Sequence, residues 1–143
     1  MKRRLILMRG PPGSGKSTYA KNMFPEAFIC SADHWFIRNG TYEYVPEEIG
    51  EAHVRCQVST LQCMAANTPL IIVDNTNTQH WQTMLYTALA AAFGYAAEAI
   101  WVKTSLETCL SRNIHDVPDF VIEDMINRFE EAIGVPQTVV EEK

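Results

Sequence analysis

The sequence predicts an α/β domain built on a mainly parallel sheet of four to five strands flanked by helices. Three observations carry that prediction. Four short apolar runs, Arg4–Met8, Ala27–Cys30, Leu70–Val73 and Ala97–Val102, lack the alternation of a half-exposed strand, as parallel strands covered on both faces do. Segments with helical spacing lie between these runs. A glycine-rich loop joins the first run to the first of those segments.

The first helix is expected to open inside that loop, from Lys16 to about Met23, and to stop before Pro25. The second starts near Pro46, a favoured first-turn residue, with Glu47 and Glu48 set against the positive end of the helix dipole. Val54, Val58, Leu61 and Ala65 form its apolar stripe. The third carries Trp81, Met84, Leu85, Ala88, Leu89 and Ala92 at helical spacing and ends at Gly94. Thr104-Ser105-Leu106-Glu107 resembles a capping box for a short fourth helix ending near Asn113. The fifth begins around Pro118 and shows Ile122, Met125, Ile126, Phe129 and Ile133. Asn39-Gly40 marks a turn in the stretch 38–44, a small hairpin or lid. Residues 1–134 form the domain, and 135–143 are a tail or an added edge strand.

A chain of 143 residues suits one domain, and 47% hydrophobic residues suffice for a core. The net charge of −5 argues against a protein that coats duplex nucleic acid, which needs a dense basic surface. Any nucleic-acid contact is expected to be a local grip on a few phosphates, at an end. The basic start followed by Leu5-Ile6-Leu7-Met8 is too short an apolar run for a secretory signal, and no stretch is long enough to span a membrane. Cys30, Cys56, Cys63 and Cys109 make no Cys-x-x-Cys pair, and the histidines have no zinc-like spacing. They read as reduced packing thiols of a cytoplasmic protein.

The chemistry centres on Gly10-Pro11-Pro12-Gly13-Ser14-Gly15-Lys16-Ser17, which fits G-x-x-x-x-G-K-[ST] at every fixed position. A chance match in a chain of this length is on the order of one in two hundred at ordinary residue frequencies. The context, strand before and helix after, is the one the mechanism needs. Glycines let successive N–H groups turn inward around phosphate oxygens, and the helix amino end adds unpaired donors. Lys16 is expected to reach the β- and γ-phosphates of ATP, and Ser17 to offer its hydroxyl to Mg²⁺. Pro12, Gly13, Ser14, Gly15 and Thr18 complete the expected nucleotide contacts.

A triphosphate site does not define a reaction; the acceptor does. Ligands of such sheets gather at the carboxyl ends of the strands. Asp33 lies just after the second apolar run and Asp74 at the end of the third. Asp33 is the candidate general base for an attacking hydroxyl, or a turn cap before His34. Asp74 either meets Mg²⁺ through water or orients the acceptor, or Asp74-Asn75-Thr76-Asn77 is a plain turn capping the third helix.

The stretch from Leu5 to about Phe129 resembles the kinase domain of bacteriophage-type 5′-hydroxyl polynucleotide kinases. The carrying segments are the loop itself, Ser31-Ala32-Asp33-His34-Trp35-Phe36, Gly50-Glu51-Ala52-His53, Ile72-Val73-Asp74-Asn75-Thr76-Asn77 and Ser111-Arg112-Asn113-Ile114-His115. The resemblance implies a P-loop kinase fold and transfer of the γ-phosphate of ATP to a 5′-hydroxyl of DNA or RNA. It implies Asp33 as base, Asp74, Asn75 and Asn77 beside the acceptor, and Arg112 in a lid over the phosphates. His53 and Arg38 are then expected in the acceptor cleft. Two positions depart from that pattern. Phe36 stands where the phage enzymes have an arginine, and the short lid lacks their second arginine. Arg9, Arg38 and Arg128 are the candidates to supply that charge. A hydroxymethylated DNA base, a nucleoside, sugar or antibiotic are the alternative acceptors, and a non-catalytic ATP-binding module is the alternative outside catalysis.

Overall fold

A computed structural model describes residues 2–113, 116–131 and 133–142. Among the described residues, seven strands and five α-helices follow in chain order, with two 3₁₀ turns among them. These are β1 (Arg4–Arg9), α1 (Lys16–Met23), β2 (Phe28–Cys30), β3 (Ile37–Arg38), β4 (Thr41–Tyr42), α2 (Ile49–Ala65), β5 (Leu70–Asp74), α3 (His80–Phe93), β6 (Ala96–Thr104), α4 (Leu106–Ser111), α5 (Asp119–Asn127) and β7 (Gln137–Glu142). One 3₁₀ turn covers Ala32–Phe36 and the other Pro46–Glu48.

Five strands form one parallel sheet in the order β2-β5-β1-β6-β7, while β3 and β4 pair as a separate hairpin. Parallel pairing demands cover on both faces, and β1 shows how it is met. Leu5 and Leu7 join a core with Cys30, Cys56, Met64, Ile71, Val73, Tyr86 and Ala90. Ile6 and Met8 point the other way, to a core with Ala20, Ile72, Ile100 and Val102. α2 and α3 therefore cover one face and α1 the other.

Within the stretch 135–143, β7 pairs with β6 from Ala99↔Gln137 to Thr104↔Glu142. The 38–44 stretch is the β3–β4 hairpin, turning through Asn39 and Gly40 at φ 53° and 79°.

Three helix readings need correction. On α2 the predicted stripe faces outward: Val54 and Val58 are exposed, and the buried face is Ala52, Cys56, Thr60, Cys63 and Met64. On α3, Trp81, Met84 and Leu85 are exposed, while Thr83, Tyr86 and Ala90 are buried. The buried faces mix large side chains, Met64 and Tyr86, with small or hydroxyl-bearing ones; Thr60 satisfies its hydroxyl on Cys56 O at 2.9 Å. The fifth helical pattern runs too long. α5 ends at Asn127, and Phe129 instead stacks on Trp101 with ring centroids 4.4 Å apart. Ile133 reaches the core from beyond the helix.

Candidate active site

The phosphate loop follows β1 and opens α1, as its chemistry requires. Its glycines hold backbone that other residues resist: φ is +148° at Gly10, +82° at Gly13 and +92° at Gly15. Gly13 is also hemmed in, since a Cβ there would lie 2.4 Å from the Cys109 carbonyl oxygen. The loop closes on itself through Ser14 N to Pro11 O at 3.1 Å, and Gly10 N donates to Thr76 O at 2.9 Å. Thr104 Oγ1 donates to Ser14 O at 2.7 Å, pinning the loop to the end of β6. Ser14 is buried, and no hydrogen bond among the described residues reaches its Oγ.

Ser17 and Asp74 meet directly, with Ser17 Oγ donating to Asp74 Oδ2 at 2.6 Å. Asp74 is 8% exposed and its Oδ1 has no hydrogen-bond partner among the described residues. A buried, half-satisfied carboxylate beside a serine hydroxyl at a phosphate loop is the hard-oxygen donor set that suits Mg²⁺, which binds through one or two protein oxygens and its own waters. These residues fit the ion.

Lys16 is half-buried and Arg112 is the exposed residue that closes α4. Burial pushes the Cys109 thiol up, and the positive charges of Lys16 and Arg112 oppose it, so both cations lie against the same turn of α4. Gly13 of the phosphate loop packs on Cys109 of the same helix, so α4 lies beside the loop. Ile114 and His115 of the same segment lie outside the described residues. Thr18 is exposed on the first turn of α1.

Asp33 sits in the 3₁₀ turn after β2, exposed, with its backbone N–H capped by Ser31 Oγ at 3.2 Å. β2, β5 and β1 are adjacent in the sheet. Asp33, Asp74 and the phosphate loop therefore follow the carboxyl ends of three neighbouring parallel strands. Two groups approach Asp33. Tyr42 Oη donates to its Oδ1 at 3.3 Å. His53, half-buried on α2, is held below its ordinary value by desolvation, with the Asp33 charge opposing. Tyr42 is a site residue that sequence reasoning missed. The Asn-Gly turn showed the hairpin, and the pairing Ile37↔Tyr42 is what returns this side chain to Asp33.

The two asparagines and three of the arginines, Arg9, Arg38 and Arg128, are held by other groups of the chain. Asn75 accepts from Ala32 N through Oδ1 at 2.9 Å and approaches Cys56 Sγ through Nδ2 at 3.5 Å, so it ties β5 to the Asp33 turn and to α2. Asn77, 2% exposed, donates from Nδ2 to Met8 O at 2.8 Å. Both amides bind the protein itself: Asn75 satisfies the Ala32 N–H in the turn after β2, and Asn77 the Met8 carbonyl near the end of β1. Arg38 pairs with Glu48, whose Oε1 also accepts from Trp35 Nε1 at 3.0 Å. Arg128 pairs with Asp124 one helical turn back.

Arg9 is fully buried and is not a phosphate ligand. Its guanidinium donates to the carbonyls of Asn77, Thr78, Glu130 and Glu131 and to Gln137 Oε1, under the ring of Phe129 at 4.2 Å. Burial pulls it down to about 10, with Glu130 opposing, so it stays charged at neutral pH. Phe36 is likewise fully buried, packing the 3₁₀ turn against α2 beside Ala32 and Ala52.

No helix of the described residues is long and apolar enough to cross a membrane, and no group of three or more His, Cys, Asp or Glu side chains is placed to hold a metal among them. All four cysteines are free and buried.

Known proteins place this arrangement. NEDD4-binding protein 2 of Homo sapiens is 34% identical over an alignment of 139 residues, with 92% of this chain and 8% of that protein covered. The chain thus spans less than a tenth of that relative's length. Among solved structures, a chain of the Pnkp1/Rnl/Hen1 RNA repair complex superposes with a TM-score of 0.72 at 17% identity, over 89% of this chain and 44% of that one. Kti12 of Chaetomium thermophilum, solved with ADP-AlF3, gives 0.71 at 14% identity over 96% and 88%. These likenesses show the fold, a parallel α/β sheet flanked by helices. The model of the AAA domain family matches residues 5–132, from the first buried residue of β1 to the approach of β7, and the chain belongs to that family.

Proposed function

We propose that the protein is an ATP-dependent phosphotransferase that moves the γ-phosphoryl group to a hydroxyl on nucleic acid, a 5′-hydroxyl end being the acceptor. One observation carries the reading: the carboxylate of Asp33, the Ser17–Asp74 pair and the phosphate loop succeed three adjacent parallel strands. A base, a metal-binding pair and a triphosphate cradle then share one edge of the sheet.

In this reading the loop N–H groups from Pro12 to Thr18 (Pro12 itself contributing only its fixed turn) and Lys16 hold the phosphates of ATP. Ser17 and Asp74 would hold Mg²⁺, which neutralises charge on the phosphates. The acceptor oxygen attacks the γ-phosphorus as Asp33 takes its proton. A new P–O bond forms, the bond to the β-phosphate oxygen breaks, and ADP leaves. Arg112 and Lys16 stabilise the negative charge on the transferred group. His53, kept neutral by its surroundings, lines the acceptor side next to Asp33. The resemblance in Asp74-Asn75-Thr76-Asn77 and Arg112-Asn113 supports the nucleic-acid acceptor, and the acidic net charge of −5 supports a contact limited to a strand end.

The test uses γ-labelled ATP and Mg²⁺ with 5′-hydroxyl DNA and RNA oligonucleotides, hydroxymethylated duplex, and a panel of nucleosides and sugars. Label in the oligonucleotide that Asp33→Asn abolishes is the expected result. Label only in a small molecule, or ATP binding with no transfer to any acceptor, would overturn the reading.

A further inference from the structure

We infer that Tyr42 is a positioning residue for Asp33, its hydroxyl holding Oδ1 so that Oδ2 faces the acceptor. The inference rests on the reading of Asp33 as general base. Asp33 is exposed, and an exposed aspartate samples several rotamers, few of which aim a lone pair at one incoming hydroxyl. Catalysis by a base depends on holding that aim. Tyr42 is the side chain placed to do it.

Both ends of Tyr42 are fixed. Its hydroxyl lies 3.3 Å from Asp33 Oδ1, long for an O–H···O bond, as catalytic hydrogen bonds often are before substrate binds. Its ring meets Phe36 edge-on, with centroids 6.1 Å apart, and Phe36 is fully buried. The hairpin sets the distance between the two aromatic residues. Asn39 and Gly40 both take positive φ, the geometry of a two-residue turn that matches strand twist, and Glu43 N donates to Phe36 O at 2.8 Å. The turn that carries Asp33 and the strand that carries Tyr42 are thus clamped together through Phe36. Burial and the neighbouring Asp33 charge also push the phenol up, so it remains a donor throughout the neutral range.

The experiment compares the full chain with Tyr42→Phe, which keeps the ring and its packing. Transfer from γ-labelled ATP is measured with whichever acceptor of the panel takes label. In Tyr42→Phe, kcat is expected to fall roughly tenfold, the value of one hydrogen bond to a charged group. KM for ATP and the melting temperature stay unchanged. The loss is confined to kcat, as expected of a base that is present but poorly aimed. His53 also lies beside Asp33, so the comparison is repeated in His53→Gln, where the fall in kcat must persist. Wild-type kcat in Tyr42→Phe, with transfer abolished in Asp33→Asn, would overturn the inference alone. So would a lower kcat accompanied by a lower melting temperature. Undiminished transfer in Asp33→Asn, or no label in any acceptor, would overturn the functional reading and the inference with it.

Discussion

Asp33 and His53 are electrostatic neighbours, and each makes a separate demand on its surroundings. For Asp33, the base in the reading proposed above, the demand is chemical. General-base catalysis contributes about 10²–10⁴-fold, so Asp33→Asn is expected to lower kcat by that range while leaving ATP affinity intact, as read by single-turnover transfer and calorimetry. For His53 the demand is on folding. Its folded value is depressed by burial, so the unfolded chain binds the proton more readily. Stability is then fully present above the unfolded value near 6.5 and is lost as pH falls below it. Denaturant melts between about pH 7 and pH 5 should show a steeper loss for wild type than for His53→Gln. Equal slopes would mean that His53 does not resist protonation.

At the scale of elements, the phosphate loop is the most constrained. Gly13→Ala would place a methyl 2.4 Å from the Cys109 carbonyl oxygen in a backbone with φ of +82°. The left-handed backbone alone costs about 1–2 kcal/mol in an L-residue. ATP affinity is expected to fall at least tenfold, with a lower melting temperature; calorimetry and a thermal scan check both. The loop was legible in the sequence because its function dictates residue types at fixed spacing. The buried strands were legible because burial on both faces removes alternation. The inward faces of α2 and α3 were not. Hydropathy favours Val54, Val58 and Leu61 over Ala52, Cys56 and Thr60, yet the space beneath a helix close to a sheet is set by volume. Tyr42 was illegible for another reason. Nine residues separate it from Asp33, and a turn, not a spacing rule, brings them together. Arg9 was misjudged because a basic residue beside a phosphate loop invites a catalytic reading, whereas its partners lie more than sixty residues away in sequence.

At the scale of the whole molecule, Arg9 is where the two ends of the chain meet. Its side chain gathers the turn after β5, the carbonyls of residues 130 and 131, and Gln137 at the start of β7, while its own backbone leads directly into Gly10. Two equilibria are thereby linked: the seating of a triphosphate in the loop and the clasp of the C-terminal residues on the sheet. Linkage is reciprocal, so whatever factor ATP adds to the clasp, the clasp adds to ATP binding. Saturating ATP is expected to slow limited proteolysis around residues 130–137. Arg9→Lys, which keeps the charge but loses the planar fork, should weaken both ATP affinity and that protection. A cleavage rate indifferent to ATP would show the two to be independent. A rate that slows with ATP would make the last strand a gauge of whether the nucleotide is aboard.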